Sequence, residues 1–267
     1  MSLTATQINF RESRLHGLLH DIRHGHAWLW NTVCAMLVMA ALLCFAQNFD
    51  SRLINGVNLW DKPAKFFVAV AIQFATVSWA LSKLVRITRG INIAVYIMVI
   101  AGWAENIYIT GRAAFGLTSH FNNSTLFSAV AYDLMGLGAV SMTAAAFYIG
   151  WKLWWQSPRS LWSEAAALGL MAGALTGTVA GIYMSQHTGH WVGGEASDAH
   201  GLPLFGWSTT GGDLRVAHFM GLHAAQFIPL AALSGNRRTV YAATVAMVLL
   251  TGIVFVMGAS GVPLFRF

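Results

Sequence analysis

The chain has 267 residues, of which 56% are hydrophobic and only 10% are charged. An average soluble domain carries about 25% charged residues, so this chain has too few charges to cover a water-exposed surface. The composition therefore excludes a soluble enzyme and a disordered or fibrous chain, and it is typical of packed membrane helices. We predict an all-α, polytopic membrane protein, with the lipid bilayer as its surroundings.

The formal net charge of +6 does not indicate a nucleic-acid partner. A nucleic-acid-binding protein gathers its basic residues into one patch or stripe. Here the basic residues are dispersed at the ends of apolar segments. We therefore expect no nucleic acid among the partners.

The amino-terminal residues are polar, yet Leu15, Leu18, Leu19 and Ile22 recur at roughly helical spacing. A helix with one apolar face and one polar face lies flat in the membrane interface. We predict that residues 1–26 form a cytoplasmic segment, amphipathic and interfacial, that precedes the membrane domain.

Seven apolar stretches follow, each long enough or nearly long enough to cross a hydrocarbon core that needs about 20 residues. They run over Ala27–Gln47, Ala64–Leu84, Ile91–Thr110, Leu126–Trp151, Ala165–Met184, Val216–Leu233 and Val240–Val262. We predict a seven-helix transmembrane bundle over residues 27–267. The fifth and sixth helices are joined by a long loop over residues 186–213, rich in Gly, His and Trp.

The distribution of Lys and Arg predicts the orientation of the bundle. With the amino terminus inside, ten of these residues fall on the inner side and six on the outer side. Cytoplasmic loops carry the excess of basic residues in membrane proteins. We predict an inside amino terminus, an outside carboxy terminus and an outer loop 186–213, in a plasma membrane or a bacterial inner membrane.

The fifth stretch carries a glycine at every fourth position, namely Gly169, Gly173, Gly177 and Gly181. Such a stripe lets another helix approach backbone to backbone. We expect its partner to be a helix of the same bundle. The alternative is a homo-oligomer that forms through this face or through other surfaces.

Ionisable residues within membrane segments are costly, and three of them stand out: Glu105, Asp133 and His223. At a rise of about 1.5 Å per residue they lie roughly 8, 12 and 10 Å below the outer ends of their helices. Gln73 and Gln226 fall only slightly deeper. The common depth predicts one functional layer that opens to the outer side.

Basic residues and histidines surround the predicted entrance to that layer. We expect four cations to hold an anionic headgroup or phosphate: Lys62, Lys65, Arg112 and Arg215. We interpret His120 and His190 as ordinary loop histidines and Asp213 as the cap of the sixth helix.

The preferred hypothesis is a membrane-embedded, metal-dependent hydrolase that acts on a lipid or another amphiphile. Imidazoles and carboxylates are the usual ligands of zinc and non-haem iron, and an open coordination position activates water. The predicted ligands are Glu105, Asp133, His187, His218 and His223. Three of them, Glu105, Asp133 and His223, are also the predicted catalytic groups.

Two alternatives remain open. In the first, the protein is a haem- or quinone-binding redox protein, in which His187 and His223 are the axial ligands of a b-type haem. In the second, it is a proton-coupled carrier or channel, in which Glu105, Asp133 and His223 titrate as a relay.

Overall fold

The computed structural model describes residues 16–156 and 159–266 of the chain. Within these ranges seven helices are long and apolar enough to cross a membrane, with mean hydropathies from 1.4 to 2.3. They are α1 (Ala27–Ala46), α2 (Asp61–Leu81), α3 (Arg89–Ala114), α4 (Leu126–Trp155), α5 (Leu161–Ser185), α6 (Leu214–Leu230) and α7 (Arg237–Ala259), and α6 continues into a 3-10 turn (Ala231–Ser234). The predictions of an all-α class and of seven apolar helices are confirmed.

Several helices extend beyond the apolar stretches because their terminal turns contain charged residues. α2 begins at Asp61 instead of Ala64, and α4 continues to Trp155. Long charged side chains can stay in a helix while their heads reach toward water, and the Lys152 ammonium lies 5.3 Å from the ring centre of Tyr148. Hydropathy alone therefore makes such helices too short.

Polar caps mark the start of five helices. A side-chain oxygen of the capping residue accepts a hydrogen bond from a backbone N–H of the first turn and so satisfies one of the free donors there. The caps are Thr88 for α3, Thr125 for α4, Ser160 for α5, Asp213 for α6 and Asn236 for α7. The predicted capping role of Asp213 is confirmed.

The main hydrophobic core lies between α1, α2, α3 and α4 and reaches α5. Its largest fully buried side chains include Leu29, Phe67, Phe74, Met98 and Ile149. A smaller cluster, which contains Ala165, Ile228 and Val240, joins α5, α6 and α7.

The glycine stripe of α5 faces α6 of the same chain. A Cβ atom added at Gly173 would lie 3.0 Å from the carbonyl oxygen of Leu222, and one added at Gly169 would lie 3.2 Å from that of Ala224. The same atom at Gly181 would lie 3.0 Å from the His218 ring. The stripe is thus covered within the bundle, and association with a second copy through other surfaces stays a prediction.

Residues 16–25 are helical, His26 directly precedes α1, and residues 1–15 of the predicted amino-terminal segment lie outside the described residues. The helical part is docked on the end of α2. The Ser78 hydroxyl donates to the carbonyl oxygen of Ile22 at 2.6 Å, and Asp21 forms an ion pair with Lys83. Its position relative to a membrane surface stays a prediction.

Three loops, over residues 47–60, 115–125 and 186–213, meet at one end of the bundle, which we call the pocket end. Two short antiparallel pairs stiffen it: Leu53–Ile54 (β1) with Val57–Asn58 (β2), and Trp191–Val192 (β3) with Gly212–Asp213 (β4). The backbone N–H of Asp198 donates to the carbonyl oxygen of Asn55 at 2.9 Å, which ties two of these loops together. That the pocket end faces outward stays a prediction.

Candidate functional site

A cavity of about 190 Å³ lies at the pocket end, between the start of α2, the end of α3 and the three loops. Its polar lining includes Asn58, Lys62, Ser119, His120, His190 and Asp198. Its apolar lining includes Ile54, Val57, Leu59, Ile109 and Leu117. Sites for drug-sized ligands span about 300–1,000 Å³, so this cavity suits a smaller molecule with a polar and an apolar part.

Lys62 supplies the cation of the cavity wall. It lies in the first turn of α2, and its ammonium nitrogen is 3.2 Å from Nδ1 of His120. In the described part of the chain no carboxylate oxygen lies within 4 Å of this ammonium. Because an ammonium group can only donate, Nδ1 of His120 accepts, and the proton of the neutral ring is on Nε2.

His120 connects Lys62 to a buried carboxylate. Its Nε2 lies 3.9 Å from Oε1 of Glu105, a residue of α3 that is only 9% exposed. Burial, together with the positive charge of Lys62, holds the pKa of His120 well below its usual range, so the ring is neutral near pH 7. A cation, a neutral imidazole and a carboxyl group therefore follow one another from the cavity wall into the bundle.

A second charged cluster anchors the loop 186–213 beside the cavity. The Arg215 guanidinium lies 2.8 Å from Oδ1 of Asp198 and 2.6 Å from Oδ2 of Asp213, and it also donates to the carbonyl oxygen of Gly206 at 2.7 Å. Nε2 of His190 lies 3.4 Å from Oδ1 of Asp198. The guanidinium thus lies between two carboxylates of the cluster.

Two groups of this cluster that lie in the loop have shifted pKa values. Burial lowers the pKa of His190, so this ring is also neutral near pH 7. Burial acts against ionisation of Asp198, but its hydrogen bond with His190 and the charge of Arg215 outweigh that effect and lower the pKa of Asp198.

The structure does not bring the three residues of the predicted layer together. Glu105 lies behind the cavity, but Asp133 is exposed on α4 and makes no hydrogen bond or ion pair within the described ranges. His223 lies on another face, where its Nδ1 is 3.0 Å from Oε1 of Gln226. Residues at the same depth on different helices share a site only if their side chains also point to the same place.

Of the four cations predicted to hold an anion, Lys62 lines the cavity and the other three are engaged elsewhere. Lys65 forms an ion pair with Asp61 at 2.5 Å. Nε of Arg112 donates to the carbonyl oxygen of Thr118 at 3.1 Å, and Arg215 is paired with Asp198 and Asp213.

The structure does not support the predicted zinc or iron site. In the part of the chain that it describes, no three His, Cys, Asp or Glu residues are grouped so that they could hold a metal ion. Nδ1 of His218 lies 2.8 Å from the carbonyl oxygen of Gly177, and Nδ1 of His187 lies 2.9 Å from that of Tyr183. Both rings are thus bound to backbone, and no described contact joins His187 to His223 as the axial haem pair would require.

The sequence-based interpretation missed His120, His190 and Asp198. All three are loop residues, and hydropathy carries no information about where a loop folds back. One conformational detail marks the site: Phe121, beside His120, has a φ of 54°. A bulky residue in this left-handed region is strained, and such strain is concentrated at functional sites.

Comparisons of the chain with family models, with curated proteins and with solved structures found no match.

Proposed function

We propose that the protein is a membrane-embedded binding protein for a small amphiphilic carboxylate, which occupies the cavity at the pocket end. The observation that carries the proposal is the position of Lys62. Its ammonium forms part of the cavity wall, and its direct polar partner is a neutral histidine, His120.

The direct partners of the two cations near the cavity support an anionic ligand at Lys62. Arg215 has two carboxylates within 3 Å, whereas Glu105 is separated from Lys62 by the ring of His120. A partly buried ammonium without a direct counter-ion gains from a charge-assisted hydrogen bond with a bound carboxylate.

The apolar lining supports an amphiphile over an inorganic anion. Ile54, Val57 and Leu117 lie in the same cavity wall as the polar groups, and a phosphate or sulfate ion would leave these side chains without an apolar partner. A short alkyl chain beside the carboxylate removes this surface from water. The limited volume restricts that chain to a few carbon atoms.

The link through His120 supports proton uptake when the anion binds. In the unliganded protein the positive charge of Lys62 lies across the His120 ring from Glu105. A bound carboxylate would cancel that charge and bring a second acidic group towards Glu105, and a proton taken up between the two would offset their repulsion. His120, whose Nε2–H faces Glu105, lies on the path between the two groups.

The proposal is tested by calorimetric titration of the purified protein in detergent, with butyrate as the probe. A charge-assisted hydrogen bond is worth about 1.5–3 kcal/mol, so we expect Lys62→Met to weaken butyrate binding by about tenfold or more. Lys65→Met is the matched control, one turn further along α2, and should bind butyrate like the wild type.

Titration in two buffers with different ionisation enthalpies measures the number of protons taken up when butyrate binds. Glu105→Gln should retain binding but lose the uptake.

Equal affinities of the two lysine variants would contradict the proposal, as would the absence of butyrate binding by the wild type. Inorganic phosphate serves as the second probe. Tighter binding of phosphate than of butyrate would refute the amphiphilic ligand class.

A further inference from the structure

A row of aromatic side chains on α6 lies away from the cavity. Phe219, His223 and Phe227 follow one another at intervals of four residues, with ring centres 4.1 and 6.4 Å apart. Trp207 and Phe205 extend the row, with Trp207 5.3 Å from Phe219. We call these five residues the His223 face, and none of them lines the cavity.

A hydrogen-bond network between α2 and α6 fixes the tautomer of His223. The Thr76 hydroxyl donates to the carbonyl oxygen of Ile72 at 2.8 Å, so towards Gln226 its oxygen can only accept. The Gln226 amide nitrogen therefore donates to Thr76 at 2.8 Å, and it also donates to Oε1 of Gln73 at 3.2 Å. Oε1 of Gln226 is left facing Nδ1 of His223 at 3.0 Å, so Nδ1 carries the hydrogen.

The other ring nitrogen of His223 is consequently a hydrogen-bond acceptor. In the described part of the chain Nε2 has no hydrogen-bond partner, and it is not among the fully buried unpaired atoms. His223 lies within the membrane-spanning segment Leu214–Ser234. A hydrocarbon environment supplies no water to satisfy such an acceptor, so a donor that arrives there is bound favourably.

We propose that the His223 face binds a membrane-soluble phenol, whose hydroxyl group donates to Nε2 of His223. The phenol ring stacks against Phe219 and Phe227, since aromatic rings pack well in offset or edge-to-face arrangements. Phe227 is 45% exposed, so the ligand reaches the site from the bilayer. This site is independent of the carboxylate proposed for the cavity.

Equilibrium dialysis of the protein in lipid nanodiscs tests the proposal with two probes, 4-hexylphenol and its methyl ether. The probes share ring and tail and differ in the hydroxyl donor, and empty nanodiscs correct for partitioning into lipid. One neutral hydrogen bond predicts that the phenol binds about threefold to tenfold more tightly than the ether. His223→Phe should abolish this preference while it keeps an aromatic ring, and His187→Phe, at the end of α5, should leave the preference unchanged.

A second variant tests the site if His223→Phe does not fold. Gln226→Met removes the group that holds the hydrogen on Nδ1 of His223. It should reduce the preference for the phenol and leave binding of the ether unchanged. Equal binding of both probes by the wild type would overturn the proposal. So would a preference that persists in His223→Phe, or 1-decanol that binds as tightly as the phenol, since an aliphatic alcohol gains nothing from aromatic stacking.

Discussion

Two buried glutamates, one near each end of the bundle, have very different surroundings. Glu164 is 2% exposed in the first turn of α5, where the Tyr241 hydroxyl donates to its Oε1 and Nε of Arg237 lies 3.0 Å from its Oε2. Glu105 is 9% exposed, and the neutral ring of His120 is 3.9 Å away. A buried carboxylate with close partners holds helices together, whereas one without them is free to exchange a proton.

The contrast extends to the loops. At the end that carries Glu164, short connections join the helices, and Gln156 closes one of them through its hydrogen bonds with the backbone of Val85 and Lys83. At the pocket end, long loops carry His120 and His190 to a cavity. Binding residues are often carried by loops on a rigid scaffold, and this bundle follows that pattern.

The largest expected effect comes from removal of the partners of Glu164. The double variant Arg237→Gln with Tyr241→Phe leaves a carboxylate whose side chain is 3% exposed without a counter-ion or donor. We expect it to lose about 3 kcal/mol of unfolding free energy, the lower end of the usual cost of breaking a buried pair, because the Arg237 side chain is 61% exposed. Unfolding of the detergent-solubilised protein by sodium dodecyl sulfate measures this loss.

Glu105→Gln is the matched variant at the pocket end. It removes a buried charge that is only loosely paired, so we expect a change of less than about 1 kcal/mol. A loss at Glu105 as large as that of the double variant would show that both glutamates are structural and would remove the contrast.

The next effect concerns the anchor of the loop 186–213. Asp213 accepts hydrogen bonds from the backbone N–H of Ser208 and of Arg215, both at 3.0 Å, as well as from the Arg215 guanidinium. Because hydrogen bonds to a charged group are worth about 1.5–3 kcal/mol, Asp213→Asn should destabilise the protein by roughly that amount. Thermal unfolding measures the loss, and faster proteolysis within the loop locates it. Asp198→Asn should cost less stability, because Arg215 keeps its ion pair with Asp213. A larger loss for Asp198→Asn than for Asp213→Asn would show that Asp213 is not the main anchor of the loop.

The two neutral histidines predict a dependence of stability on pH. The pKa values of His120 and His190 are lowered in the folded protein from an ordinary value of 6.5. Below pH 6.5 the unfolded chain therefore binds more protons than the folded one, and stability falls as the pH falls. Below pH 6.5 each histidine lowers the unfolding free energy by up to about 1.4 kcal/mol for each pH unit. Above pH 6.5 the contribution of the neutral ring to stability is fully present.

Melting temperatures between pH 7.5 and 5.5 check this dependence. Lys62 also faces His120, and its positive charge acts in the same direction. The double variant His120→Gln with His190→Gln should flatten the profile. An equally steep profile in that variant would assign the acid sensitivity to other groups.

The smallest effect is expected at the ion pair of Lys65 and Asp61. Their side chains are 38% and 30% exposed, so solvent screens the attraction. Lys65→Gln should change the unfolding free energy by less than about 0.5 kcal/mol, and this change should vanish in high salt. A loss above about 1 kcal/mol would show that this pair belongs to the buried network at the pocket end.

The sequence by itself determined the membrane class, the seven helices and the cap at Asp213. Long apolar stretches and capping residues depend on nearby positions in the chain, so they can be recognised without knowledge of the fold. The close contact of the glycine stripe with another helix has the same origin, since glycine at every fourth position lies on one helix face.

Only the tertiary structure decided which polar residues share a site. The depth of Glu105, Asp133 and His223 follows from their positions along their helices, but the rotation of each helix depends on the neighbours against which it packs. That rotation buries Glu105 and leaves Asp133 exposed on α4. The loop residues His120 and His190 reach the cavity through backbone turns that no apolar pattern encodes. Depth is a local property of a helix, whereas the meeting of side chains is a property of the packed bundle.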